Sequence, residues 1–301
     1  MGIRGKISRS IKNPKKTFTR NFNRVDDLAG KKLFGNTVGF KRNLAGSKEL
    51  SKGKKSNLEN DNPLAFELQQ NQFLLLPNFY DHSLIDDVKA QYDTLIENDD
   101  TSIQLSVVDG TCYSRHIMEP LSNLPILKKF INEKIIKILS DFYGRNFMIK
   151  QVNCFRNYHV PQEIVSKHEM FADHWHCDRR NISEIKLFVC LRDVTEKDGP
   201  FHVQTLERTK QLMKLGFGSR DNYNLSKDEL ENPQFMKSGI GSSGTVYFAN
   251  ANLCLHKAGI PDSGHFRDLI NFIFVPVDEP LPHDWEKNVI NTLSKNNNPL
   301  V

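Results

Sequence analysis

A mainly β fold with flanking helices is what this chain predicts, its strands closing into a β-sandwich or a barrel-like jelly roll. Three observations carry that expectation. Residues 147–158, 184–194, 200–204, 245–249 and 268–275 are short runs rich in Val, Ile, Leu, Phe and Tyr, separated by Gly, Pro, Asn and Asp. Two apolar stripes with helical spacing precede them. The 301 residues are 38% hydrophobic, enough for one sizeable core, yet no apolar run approaches the ~20 residues of a membrane-spanning helix.

The chain opens on a basic arm. Residues 1–55 hold 16 Lys and Arg against 3 Asp and Glu, and the remainder holds 25 against 33. The net charge of +5 is therefore a basic arm on an acidic body, a pattern that speaks of partners and location. Ile3, Ile7 and Ile11, then Phe18 and Phe22, recur every four positions among Lys and Arg. A basic amphipathic helix of this kind can lie on an anionic membrane. Pro14 would interrupt it, and a solvated tail is the alternative. Two phenylalanines give poor support for stacking on single-stranded nucleic acid. Lys6 stands where a myristoylation signal needs Ser or Thr. The acid-free first 25 residues also resemble a mitochondrial transit peptide. Residues 51–63 are polar and rich in turn formers and read as a linker. The expected division is an arm and linker over 1–60 and a functional body over 61–301.

In the body, Phe73 to Phe79 reads as a strand closed by Pro77. Asp81 or Ser83 can cap a helix carrying Leu84, Ile85, Val88, Tyr92, Leu95 and Ile96 on one stripe. Residues 124–142 read as a second helix through Leu127, Phe130, Ile131, Ile135 and Ile138, stopped by Gly144. Residues 216–240 read as an irregular insertion, and 103–120, 159–172 and 205–240 as pocket-shaping loops. Cys112, Cys154, Cys177, Cys190 and Cys254 are odd in number and never in a C-x-x-C pair, which fits reduced thiols in a cytoplasmic protein.

Chemistry concentrates in Trp175-His176-Cys177-Asp178. On an extended segment His176 and Asp178 project to one side. His256 can complete a face of three ligands, the two-His, one-carboxylate triad of non-haem Fe(II) oxygenases. Arg267 suits the far carboxylate of a bound keto-acid, because a guanidinium makes two parallel charge-assisted hydrogen bonds. Thr245, on the strand before His256, could add a hydroxyl. Lys186 reads either as a further keto-acid contact or as a solvated strand charge. Asn153 and Arg156 lie on the strand before the triad, where a polar residue can face the pocket. His174 with His176 and His256 is an alternative three-His set. His159, His168, His202 and His265 have no partner pattern and read as surface or substrate-side residues. Cys177 should face away from the ligands and Cys254 should form buried wall. The bland reading is histidines satisfied in a polar cleft.

The order of these features resembles the phytanoyl-CoA dioxygenase-like family of Fe(II)/2-oxoglutarate oxygenases over about residues 65–276. Gln72 to Tyr80 takes the place of the family's opening extended segment, with Gln where Gly is usual. Trp175 to Asp178 matches Trp-His-x-Asp. Asp193-Val194-Thr195-Glu196-Lys197-Asp198-Gly199-Pro200 matches the turn that follows, and His256 and Arg267 match the distal ligand and keto-acid arginine. His202 to Leu206 departs from the family's Pro-Gly-Ser-His, so substrate preference does not carry over. The resemblance implies a cupin-like double-stranded β-helix core and iron held by His176, Asp178 and His256. It further implies 2-oxoglutarate and O2 in the remaining positions, with Arg267, Thr245, Lys186 and Asn153 as cofactor contacts. Succinate and CO2 would form as a C–H is hydroxylated. The carboxylate ligand is present, so hydroxylation or another oxidation is expected rather than halogenation. The substrate would be a small metabolite or a lipid- or glycan-linked intermediate, with the protein peripheral to a membrane if the arm binds one. The competing class is a non-catalytic jelly-roll module that binds an anionic surface through the arm.

Overall fold

A computed structural model describes residues 58–98, 101–178, 183–219, 222–223, 225–281 and 285. The basic arm, and the helix read on it, lie outside the described residues. Leu58 is already buried in the core, so the polar stretch read as a linker gives way to folded chain earlier than its composition suggests.

Helix α1 (Pro63–Asn71) starts where the Asn62 side chain accepts the Ala65 amide, with Pro63 in the first turn. Strand β1 (Phe73–Leu76) leads to helix α2 (His82–Glu97), which buries Ile85, Val88, Tyr92 and Ile96. Asp81 holds the cap position of α2, but its side chain makes no capping bond. Strands β2 (Ile103–Val108) and β3 (Thr111–Ile117) form a hairpin where the sequence predicts a loop. Asp109 and Gly110 at its tip both have positive φ, which is the conformation an Asp-Gly turn favours. The second expected helix begins later, as α3 (Glu133–Tyr143), because Asn132 caps it and Pro125–Phe130 forms a 3₁₀ turn instead. It ends at Gly144 in the left-handed region, as expected.

The remaining strands are β4 (Phe147–Tyr158), β5 (Ile185–Val189), β6 (Phe201–Gln204), β7 (Phe217–Ser219), β8 (Asn222–Tyr223), β9 (Met236–Ser238), β10 (Val246–Ala249), β11 (His256–Ala258) and β12 (Phe266–Pro276). Helix α4 (Leu206–Lys214) follows β6. The insertion expected to be irregular thus contains the β7–β8 hairpin and β9, which pairs with β6.

A seven-stranded antiparallel sheet runs β1-β10-β5-β12-β4-β3-β2, and a smaller one runs β11-β6-β9. His176 adds to the small sheet by bridging His256. From β4 onward the chain passes back and forth between the two sheets, which is the jelly-roll, cupin-like path. Phe188, Tyr247 and Leu269 of the large sheet meet Phe201 and Val203 of the small one in an inter-sheet core. On the opposite face, Ile270, Phe272 and Phe274 pack against α1, α2 and α3 in the larger core. Each large side chain buried there contributes about 1.5–3 kcal/mol. Gly199, at φ +63, closes the turn before β6; a Cβ there would sit 2.5 Å from the Ile260 carbonyl carbon, so this turn requires glycine.

Candidate metal centre

The ligand-bearing segment owes its shape to backbone pairing. The His176 amide donates to the His256 carbonyl at 3.0 Å, and the His256 amide returns the bond at 2.9 Å. The Asp178 amide donates to the Ala251 carbonyl at 2.8 Å. This extended pairing puts His176 and Asp178 on one side, facing His256. One ligand atom from each of the three lies within 4.8 Å of the others. His176 Nε2 is 3.6 Å and His256 Nε2 3.9 Å from Asp178 Oδ1.

Both imidazoles are set in one tautomer. His176 Nδ1 faces the His174 carbonyl at 2.7 Å, and His256 Nδ1 faces the Cys254 carbonyl at 3.2 Å. A carbonyl only accepts, so each Nδ1 carries the proton and each Nε2 presents a lone pair to the shared space. Burial pushes the His256 imidazole down to about 3, which keeps it neutral. Burial works against the Asp178 carboxylate, but the Lys186 ammonium and the two imidazoles outweigh it and hold the carboxyl well below its usual range. Two imidazole Nε2 atoms and an ionised carboxylate on one face would form a donor set suited to Fe(II).

Lys186 does not stand in solvent; its Nζ donates to Asp178 Oδ2 at 2.6 Å. The two carboxylate oxygens therefore have separate partners.

Arg267 is buried, and its Nε and Nη1 have no hydrogen-bond partner among the described residues. Burial pushes its guanidinium down from its ordinary value. Thr245 Oγ1 is also buried and has no partner among the described residues. Alternation along β12 and into β10 turns both residues to the inter-sheet side, with Leu269 and Tyr247. A buried cation with two idle N–H groups is costly on its own and suits a carboxylate ligand. Asn153 lies on that same face, where its Nδ2 donates to Asn271 Oδ1 at 2.7 Å.

Other residues singled out by the sequence pattern lie elsewhere. Arg156 does not face this pocket; it turns to the helix side and forks onto Asp268 at 2.6 and 2.9 Å and Asp93 at 2.7 Å. His202 is not at the surface: it is buried and bonded to Ser238 Oγ at 2.8 Å. His159 meets the Pro261 carbonyl and His265 meets Asp198. His168 and His174 are exposed, and His174 is not in the ligand trio. Cys177 packs with Trp175 and Leu255, and Cys254 is buried wall in the inter-sheet core. Sequence reasoning passes over Gln151 and His116, which line the inner face. The Asp109-Gly110 turn is the signal for the hairpin that carries His116.

No family model matches the chain, and no curated protein matches it in sequence. Solved structures do match in fold. The non-haem α-ketoglutarate-dependent epimerase SnoN from nogalamycin biosynthesis aligns with a TM-score of 0.51 at 12% identity, over 79% of this chain and 92% of its own. SnoN has also been solved with Fe3+, α-ketoglutarate and nogalamycin RO. EctD from S. alaskensis, solved with bound Fe, aligns with a TM-score of 0.52 at 12% identity, over 75% of this chain and 82% of its own. At these identities the likeness is one of fold, and it agrees with the jelly-roll path traced by the strands. Among the described residues, no helix is long and apolar enough to cross a membrane.

Proposed function

We propose that this chain is an Fe(II)/2-oxoglutarate-dependent oxygenase that oxidises a small-molecule substrate, most readily by hydroxylating a C–H bond. The pairing of the His176–Asp178–His256 trio with the unpartnered Arg267 supports this reading best. Either feature alone has an ordinary structural explanation; a three-donor face on the small sheet and an idle buried cation on the inner side of the large one do not share one. In this reading His176, Asp178 and His256 hold Fe(II). Arg267 binds the distal carboxylate of 2-oxoglutarate through Nε and Nη1, and the Thr245 hydroxyl adds a donor. Asn153 shares the inner face with Arg267, which supports its assignment as a further cosubstrate contact. The iron, when bound, supplies the O2 activation that oxidatively decarboxylates 2-oxoglutarate to succinate and CO2.

The residues supply position and shielding. Phe201, Phe188 and Tyr247 crowd the His256 side, with ring centroids 5.3 Å (Phe201–His256) and 4.7 Å (Phe188–Tyr247) apart. That wall excludes water around the cosubstrate and strengthens the Arg267 contact. The motif order argues further for the phytanoyl-CoA dioxygenase-like branch. SnoN and EctD, whose fold this chain shares, fit the iron and keto-acid assignment by analogy.

Succinate formation from 2-oxoglutarate with added Fe(II), without primary substrate, is the test. Wild type should form succinate and His176→Ala should not. If neither consumes 2-oxoglutarate and neither binds Fe(II), a non-catalytic binding module replaces the oxygenase reading. The charge of residues 1–55 supports a second role, contact with an anionic membrane surface. Deleting them should abolish sedimentation with phosphatidylserine vesicles, and unchanged sedimentation removes that role.

A further inference from the structure

We infer that the primary substrate is a hydroxyl- or amide-rich, carbohydrate-like molecule rather than an acyl chain; this deepens the oxygenase reading and rests on it. The inner wall beside the ligand trio carries the inference. Lys186, which touches Asp178, is level across the large sheet with Ile273 and then Gln151. The next rung aligns Phe188, Asn271 and Asn153. At about 4.8 Å per strand, Gln151 and Asn153 stand roughly 10 Å across the sheet from β5. The Gln151 amide donates to Asn153 Oδ1 at 2.5 Å, and Asn153 donates on to Asn271. This chain of amides leaves Gln151 Oε1 and Asn271 Nδ2 without a partner among the described residues, and neither atom is sealed from solvent.

One rung further, Phe155 lies opposite His116, and the two rings are 5.0 Å apart. Phe155 packs on the inter-sheet core, so this pair faces inward. Ser106 Oγ meets His116 Nε2 at 3.1 Å. Asn153, Phe155, His116 and Ser106 all face inward yet keep partial exposure, which marks an open groove rather than packed core. Burial pushes His116 down to about 4, so it acts as a neutral hydrogen-bonding ring. Arg156 and Asp268 are paired on the opposite face, and of the cations on the inner face Lys186 is engaged by Asp178 while Arg267 is assigned to the cosubstrate.

An acyl chain laid along this wall would strip water from its amides and replace nothing. A polyhydroxylated ligand restores those hydrogen bonds, and the Phe155–His116 pair offers an apolar platform for the C–H face of a sugar ring. Amide donors and acceptors beside exposed ring faces are the chemistry that recognises glycosides.

The test uses the full Fe(II)-loaded chain and measures succinate with a panel of neutral mono- to trisaccharides and their methyl glycosides, against palmitoyl-CoA. At least one saccharide should raise succinate formation several-fold above the substrate-free rate, and palmitoyl-CoA should not. His116→Leu should raise the KM for that saccharide about tenfold while the KM for 2-oxoglutarate stays in place. No response to any saccharide, with substrate-free turnover intact, overturns the substrate class, as does a response to palmitoyl-CoA alone. An equal shift of both KM values in His116→Leu overturns the assignment of the groove. Absence of substrate-free turnover in wild type instead overturns the oxygenase reading beneath it.

Discussion

Replacing Arg267 with Met separates a ligand-binding arginine from a structural one. Arg267 is a buried cation whose Nε and Nη1 donate to nothing among the described residues. A hydrogen bond to a charged group contributes about 1.5–3 kcal/mol, so two to a 2-oxoglutarate carboxylate contribute about 3–6 kcal/mol. At 1.4 kcal/mol per decade, the variant should bind 2-oxoglutarate at least a hundredfold more weakly. Without 2-oxoglutarate the sign reverses. Leaving a buried polar group unsatisfied costs about 1–3 kcal/mol, more when it is charged. Met removes that penalty while keeping most of the side-chain volume. The ligand-free variant should therefore melt at or above the wild-type temperature. An arginine that merely held the sheets together would behave oppositely, because its loss would lower the melting temperature and spare the cosubstrate. Anaerobic titration of Fe(II)-loaded protein with 2-oxoglutarate, paired with thermal melts, reads both quantities. Unchanged 2-oxoglutarate affinity, or a clearly lower melting temperature without ligand, refutes the reasoning.

Lys186→Met tests whether the ammonium orients the carboxylate ligand. Lys186 occupies Asp178 Oδ2 while Oδ1 faces the imidazoles, so the variant should lose about 10- to 100-fold in Fe(II) affinity, the usual range for such outer partners, and Lys186→Arg should recover part of it. Unchanged or tighter Fe(II) binding by the Met variant would show that Lys186 only adds a repulsive charge. His202 predicts a pH effect. Burial first, then Lys257, push its imidazole down to about 4, below the unfolded value near 6.5. In that window the unfolded chain binds the extra proton, so the penalty is absent above pH 6.5, grows as pH falls, and is complete below about 4. His202→Gln should flatten the loss of stability between pH 7 and 4.5 by an amount on the order of 3 kcal/mol. Parallel urea-unfolding curves for the two proteins would contradict this.

Much of the β core is legible because strands buried on both faces read as apolar runs, as in residues 268–275. The edge hairpin is less so: Ile103, Leu105 and Val107 alternate on one face of β2, but Leu105 and Val107 stay exposed, so that alternation marks no buried face. The apolar spacing at Leu127 and Phe130 serves a 3₁₀ turn as well as an α-helix, so it predicts too early a start for the second helix. In the site, His176, Asp178, His256 and Arg267 can be grouped from residue type and order. The inward turn of Asn153 and the outward turn of Arg156 cannot, because they depend on the parity of β4 against β12. The Lys186 pairing is unreadable for a related reason: no local pattern sets which carboxylate meets its ammonium.

The neighbours Arg267 and Asp268 show how one strand serves both function and stability. Alternation sends Arg267 into the inter-sheet space and Asp268 to the helix side. Asp268 is there bonded by Arg156 and by Arg192, whose Nε donates at 2.7 Å, and both arginines also bond Asp93 of α2. Phe266 lies beneath both guanidinium groups, at 4.2 and 5.3 Å from its ring centre. This network ties β4, β12 and the segment after β5 to α2, so it fixes the backbone from which Arg267 projects. Breaking such a buried pair from one side leaves an uncompensated charge, at about 3–5 kcal/mol. The network is thus rigid where Arg267 is idle. An unpartnered guanidinium would otherwise rotate to find a carboxylate, and Asp268 is its chain neighbour. The pleat and the saturation of Asp268 by two other arginines deny it that partner, so its idle N–H groups stay turned toward the space between the sheets.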